Sequence, residues 1–118
     1  MMLGLAQMDT QVMSEQIQVS SLGALGAKVQ GVDLAQVNPD QMQALQEAFA
    51  AHEVLFFENQ QLAPEAHLGF AERWGEINVN RFFAHVDGHP SIAQVVKEPE
   101  QQGNIGGYWH TDHSYDQV

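Results

Sequence analysis

His110 and Asp112, separated by the single residue Thr111, are the side chains of this 118-residue chain whose types and spacing best support chemistry. On an extended backbone successive side chains alternate, so a His and an Asp two apart point to one side and can share one metal ion. The facial arrangement of two His and one carboxylate around non-haem iron(II) uses one such edge and leaves positions open for cosubstrate and oxygen. The bland alternative is a pair of hydrogen-bonded polar residues at a strand edge. Spacing alone is weak, because six His, each with about a one-in-twenty chance of an Asp two residues on, give about a 30% chance of one accidental match. A second match does occur, His85-Val86-Asp87, but Gly88 follows it, and Asp-Gly is a turn dipeptide that breaks the alternation. The flanks of His110 are better: Trp109, Thr111 and Tyr115 favour an extended backbone, and Gly106-Gly107 supply a bend into it.

Elements that must position this pair are legible upstream. Ile17-Gln18-Val19 alternates like a short strand, and Gly23, Gly26 and Gly31 punctuate a second extended piece around Lys28 to Val32. Asn38 is a suitable helix N-cap, Pro39 suits the first helical position, and Gln41 completes a capping-box pattern. Met42, Leu45, Ala48 and Phe49 then form an apolar stripe at helical spacing, which is core packing. The continuous run Val54-Leu55-Phe56-Phe57 predicts a strand buried on both faces. A second helix is expected from Pro64 to about Trp74, with Phe70, Ala71 and Trp74 on one side, His67 as a packing residue near it, and Gly75 after its end. Ile92 to Val96, between Pro90 and Pro99, is a further strand candidate, and Glu98 to Gly107 is expected to be a polar, mobile connection.

Composition bounds the function classes. With 44% apolar and 16% charged residues the chain is ordinary for a globular domain, and at this length it is one domain or part of one. A formal charge of -11, with only Lys28, Lys97, Arg73 and Arg81 as fixed cations, argues against nucleic acid and anionic membranes as partners. Zero Cys excludes disulfides, Cys-based zinc sites and thiol catalysis. No run approaches the length of a membrane span, and a secretory n-region is missing ahead of Lys28, so the expected location is cytoplasmic. Residues 1–16 are expected to be a flexible leader, with Met13 as an alternative start, and residues 17–118 the domain proper.

The string Trp109-His110-Thr111-Asp112-His113-Ser114 resembles the iron-binding signature of the TauD/TfdA family of iron(II)- and 2-oxoglutarate-dependent dioxygenases. Further blocks resemble that family in the same order. Gly26 to Leu34 is similar to its opening strand and turn, Leu45 to Phe57 to its first helix and following strand, and Leu62 to Glu76 to a helix in which Ala63 replaces the usual capping Thr and Trp74 the usual Phe. The resemblance covers roughly residues 20 to 116. It implies an α+β fold, a double-stranded β-helix or jelly roll with flanking helices, of which this chain holds an N-terminal, incomplete part. Periodicity alone gives only mixed α and β.

The resemblance further implies a site built on Fe(II), with 2-oxoglutarate and O2 as cosubstrates, held by His110, Asp112 and a second His much later in such chains. An Arg still further on would bind the 2-oxoglutarate carboxylate, so no 2-oxoglutarate-binding residue is expected here. His113 is the local substitute to weigh, but the odd neighbour on a strand points away from the face shared by 110 and 112; the resemblance implies instead that the residue at this place lines the pocket. Two ligands should hold iron(II) weakly, and more weakly in acid, since ligation needs a neutral His110 and an ionised Asp112. The implied reaction is oxidative decarboxylation of 2-oxoglutarate to succinate and CO2, coupled to hydroxylation of an aliphatic C–H of a small organic substrate. Where taurine enzymes place a His and a Tyr this chain has Asn80 and Phe83, and near Gly106 they carry a polar Asn. These departures favour another sulfonate, a sulfate ester or a carboxylate-like compound over taurine. For Phe83 the alternative is packing beside Phe82, and for Arg81 it is exposure as a solubilising charge against attraction of an anionic substrate. The chain by itself is expected to turn nothing over. The rival class is an inactive fragment or a non-catalytic binding module derived from that family, as a homo-oligomer or alone, and a third reading is a cupin-like metal protein using His85, His89, His110 and His113.

Overall fold

A computed structural model describes residues 17–112, and the expected leader at 1–16, together with His113 and Tyr115, lies outside the described residues. The chain divides into two compact units that part between Asn78 and Val79. In the first unit, β1 (Gln18–Ser21) pairs antiparallel with β2 (Ala27–Gln30), and β2 pairs parallel with β3 (Leu55–Phe57), giving the order β1-β2-β3. Parallel neighbours need a crossover, and the helix α1 (Pro39–His52) supplies it between β2 and β3. A short 3-10 turn at Leu34–Gln36 links β2 to α1, and α2 (Pro64–Glu72) follows β3.

Local chemistry explains where α1 starts and stops. Asn38 Oδ1 accepts from the Gln41 backbone N–H at 2.8 Å while Gln41 Oε1 accepts from the Asn38 N–H at 3.1 Å, so two donors without helical partners are satisfied reciprocally. At the other end Glu53 takes the left-handed conformation at φ 67° and donates to the Phe49 carbonyl at 2.7 Å, a position where glycine is the usual occupant. Met42, Leu45 and Ala48 are buried as the helical spacing predicts, with Leu45 at 0% exposure. Phe49, expected in the same stripe, is instead 48% exposed, and its ring meets Trp74 edge-on at 5.4 Å.

The core is Val29, Val32, Leu34, Val37, Met42 and Leu45, with Ile17, Leu55, Phe57, Leu62 and Phe70 packed against it. β3 corrects the expectation of a strand buried on both faces. It lies at the edge of the sheet, Leu55 and Phe57 turn toward the core, and Phe56 between them is 52% exposed. An edge strand with one covered face keeps the period of two even where every residue is apolar. Gly26, at φ 87°, lets β2 enter beside β3: its N–H donates to the His52 carbonyl at 2.9 Å, and a Cβ there would stand 3.3 Å from the Phe56 ring.

α2 ends two residues before the expected Trp74, because Arg73 and Trp74 donate to the carbonyls of Phe70 and Ala71, the tighter spacing that closes a last turn. His67 is exposed on α2 and not a packing residue. Gln60 binds the 3-10 turn to the exit of β3: its Oε1 accepts from the Leu34 N–H and its Nε2 donates to the Val32 carbonyl, both at 2.9 Å.

Among the described residues the second unit contains one hairpin, β4 (His85–Val86) against β5 (His89–Ala93), joined by Asp87-Gly88 with Gly88 at φ 74°. The turn at Asp87 is therefore as expected from the dipeptide. β5 occupies 89–93, not the expected 92–96, because the two-residue loop commits the chain to pairing at once: Val86 faces His89, and the exposed Val95 and Val96 lie beyond the ladder. Pro90 sits within this strand, which a two-stranded ribbon tolerates since every strand in it is an edge. From Glu98 to Gly107 the backbone is irregular and exposed.

Candidate functional site

The approach to His110 is set by a turn. Gly107 donates to the Asn104 carbonyl at 3.2 Å, and Gly106, at φ 71°, occupies the third position of that turn, where the positive angle calls for glycine. Lys97 Nζ donates to the Asn104 side-chain oxygen at 2.6 Å and ties the first residue of the turn to the segment leaving β5. The sequence expectation of a bend at 106–107 is met. The extended segment expected from Trp109 to Tyr115 lies partly outside the described residues; from Trp109 to Asp112 no ladder forms, and the Trp109 side chain is fully exposed.

His110 and Asp112 nevertheless face each other, with Nε2 and Oδ1 3.4 Å apart. The other ring nitrogen, Nδ1, lies 2.7 Å from the Tyr108 carbonyl oxygen. A carbonyl only accepts, so Nδ1 carries the proton and, in the neutral ring, Nε2 presents a lone pair to the carboxylate. A ring lone pair and a carboxylate oxygen at this distance can be bridged by a second ring proton, a water molecule or a metal ion. Metal–N and metal–O bonds of about 2.1 Å meeting at about 90–110° separate their donor atoms by roughly 3.0–3.4 Å, so the observed spacing fits two neighbouring ligands of one ion. The carboxylate is fully exposed and the imidazole half-exposed, which leaves the edge open.

Among the described residues no three His, Cys, Asp or Glu side chains come together as a metal site. The four-His alternative gains no support: His85 Nδ1 lies 3.3 Å from the Val86 carbonyl and His89 Nδ1 3.1 Å from that of Asp87, both local contacts, and His113 is outside the described residues. Of the pocket candidates, Gly106 lies directly against the His110 ring, since a Cβ on it would stand 3.1 Å from Cε1. Asn80 spends its side-chain oxygen on the Phe82 N–H at 2.8 Å, Phe83 is half-buried, and Arg81 is exposed with its guanidinium 5.6 Å from the Phe82 ring centre. The Tyr108 carbonyl is the functional group that residue types alone could not disclose, because a backbone acceptor carries no sequence signal. No helix among the described residues is long and apolar enough to cross a membrane.

Residues 18–118 match the family described as Taurine catabolism dioxygenase TauD, TfdA family. A taurine dioxygenase from Burkholderia xenovorans is 39% identical with a TM-score of 0.58, over 63% of this chain and 28% of that one. A putative alpha-ketoglutarate-dependent taurine dioxygenase from the same organism is 36% identical with a TM-score of 0.60, over 71% of this chain and 32% of that one. A third structure, AAD-2 in complex with Mn(II) and N-oxalylglycine, is 25% identical with a TM-score of 0.50, over 52% of this chain and 25% of that one. The chain thus spans about a third or less of the length of these relatives. Its match to the family runs from β1 through the His110–Asp112 pair, and the chain belongs to the TauD/TfdA dioxygenase family.

Proposed function

We propose that residues 17–118 form the N-terminal part of a jelly-roll, non-haem iron(II)- and 2-oxoglutarate-dependent dioxygenase domain, with His110 and Asp112 as two of its three metal ligands. The observation that carries this is the facing pair: a ring whose Nδ1 is committed to the Tyr108 carbonyl and whose Nε2 meets a carboxylate oxygen at 3.4 Å. Holding one imidazole nitrogen by a backbone acceptor is the usual way a ligating His is oriented. The relative bound to Mn(II) and N-oxalylglycine supports a divalent metal beside a 2-oxo dicarboxylate.

The family resemblance implies a third ligand, a His, and an arginine for the 2-oxoglutarate carboxylate, neither of which is assigned among these 118 residues. When bound, iron(II) supplies the activation of O2 that couples decarboxylation of 2-oxoglutarate to hydroxylation of an aliphatic C–H. This chain's contribution is narrower: His110 and Asp112 fix two adjacent positions and leave the remaining ones to other groups. The substrate class is a small sulfonate, sulfate ester or carboxylate-like compound. Asn80 with its oxygen already engaged, the apolar Phe83 and the side-chain-free Gly106 offer fewer polar partners than a taurine site built on His, Tyr and Asn. His113 is a fourth pocket candidate. A cytoplasmic location accompanies this assignment.

A non-catalytic module derived from the family is the second reading, in which the two donors among the described residues hold no ion. Anaerobic titration of iron(II) into the 118-residue chain, with and without 2-oxoglutarate and alongside His110→Ala, separates the two. Weak binding by the wild type that vanishes in His110→Ala is expected. Equal heats from both proteins would remove the metal role of the pair and leave the module reading standing, whereas iron- and 2-oxoglutarate-dependent succinate formation would exclude the module.

A further inference from the structure

The segment between β5 and His110 is exposed and forms no ladder, yet hydrogen bonds tie it to itself at three places. Gln101 donates its N–H to the Glu98 carbonyl at 3.1 Å, and its Oε1 accepts from the Glu98 N–H at 3.2 Å, which closes a first turn twice. Gly107 N–H to the Asn104 carbonyl at 3.2 Å closes a second. The third tie joins the two turns: Lys97 Nζ donates to Asn104 Oδ1 at 2.6 Å across seven residues. Its donor is a full cation, which makes this the short and strong kind of hydrogen bond. Asn104 is thereby held through its carbonyl and its side chain at once, and the backbone leaving it reaches the Tyr108 carbonyl that orients the His110 ring.

We propose that Lys97 is a positioning residue for the metal edge: its ammonium closes the loop onto Asn104 and fixes the turn from which the Tyr108 carbonyl and His110 project. This rests on the reading of His110 and Asp112 as a metal-binding pair and adds to it the side chain that steadies their approach. An exposed loop with no packed side chain otherwise keeps its conformational freedom, and ordering it at the moment of binding costs affinity. Closing the loop beforehand removes part of that cost. The sign of the effect separates this role from a purely electrostatic one. Acting through its charge alone, Lys97 would repel a divalent ion, and deleting it would strengthen metal binding. Acting as a clasp, its deletion weakens binding.

Three substitutions in the 118-residue chain make the test. Lys97→Met removes donor and charge, Lys97→Arg keeps both, and Asn104→Ala keeps the charge while removing the acceptor. Backbone 15N relaxation of residues 104–110 in the metal-free chain reports order, and titration with Mn(II) alone, followed by line broadening of the His110 ring, reports binding. Lys97→Met and Asn104→Ala are each expected to lower the order parameters from 104 to 110 and to weaken Mn(II) binding about threefold, the size set by an exposed charged contact. The double variant should be no worse than either single one, because both remove the same interaction, and Lys97→Arg should match the wild type. An unchanged relaxation profile in Lys97→Met, tighter Mn(II) binding by that variant, or fully additive losses in the double variant would each overturn the clasp. Absence of Mn(II) broadening in the wild type would instead overturn the metal reading on which the role rests, an outcome distinct from an unchanged relaxation profile.

Discussion

The first unit stores its information in burial and the second in spacing. Between residues 17 and 78 a sheet, a crossover helix and a 3-10 turn enclose eight buried apolar residues, six of them in one core cluster, and the helix is capped at both ends by named hydrogen bonds. Between 79 and 112 none of the residues is buried, the regular structure is one short hairpin, and Tyr108 and Trp109 stand almost fully in solvent. Yet the second unit carries the candidate chemistry. The contrast is physical: a core needs many interlocking contacts, while a metal edge needs two donor atoms at one distance, which a glycine turn and a single carbonyl bond can fix.

The sharpest way to break the contrast is to remove a side chain that the first unit cannot spare. Leu45 is fully buried in the middle of α1, and Leu45→Ala is expected to cost about 3 kcal/mol in urea unfolding, the transfer term plus a cavity. A cost under about 1 kcal/mol would mean that the sheet and α1 are not the rigid part of the chain. Gly26→Ala comes next, at about 2 kcal/mol, because φ 87° disfavours any Cβ and this one would crowd the Phe56 ring. Asn38→Ala should cost about 1 kcal/mol through loss of the box at the start of α1, with Asn38→Ser recovering most of it.

Much of the first unit was legible because its signals are local. Asn38, Pro39 and Gln41 mark the start of α1 by their own hydrogen-bonding chemistry, and in the second unit Asp87-Gly88 marks a turn, though not the strands on either side of it. What the residues could not disclose depends on partners far away in the chain. Phe56 looks buried when only its neighbours are read, and its exposure follows from β3 lying at a sheet edge. Gln60, an ordinary polar residue in sequence, earns its place only through Leu34 and Val32, which are 26 and 28 positions away. The His110–Asp112 pair was legible from spacing, but for a partly mistaken reason: the side chains meet without the strand that alternation assumes. The clue that orients the ring is a carbonyl, and every residue has one.

The smallest expected effect lies in the second unit and tests the contrast from its other side. Trp109 is the largest side chain next to His110, and a Trp in a packed position would cost about 3–5 kcal/mol when truncated to Ala. Here it is fully exposed, so Trp109→Ala should leave unfolding within about 0.5 kcal/mol of wild type. If His110 binds the metal as proposed, line broadening of its ring by Mn(II) should likewise be unchanged, because the ring's Nδ1 meets the Tyr108 carbonyl and not the indole. A clear loss of stability would show that the indole is covered in solution by protein surface that residues 17–112 do not provide. A loss of metal binding at unchanged stability would instead place Trp109 among the groups that position His110, and the two donors would no longer be held by the turn alone.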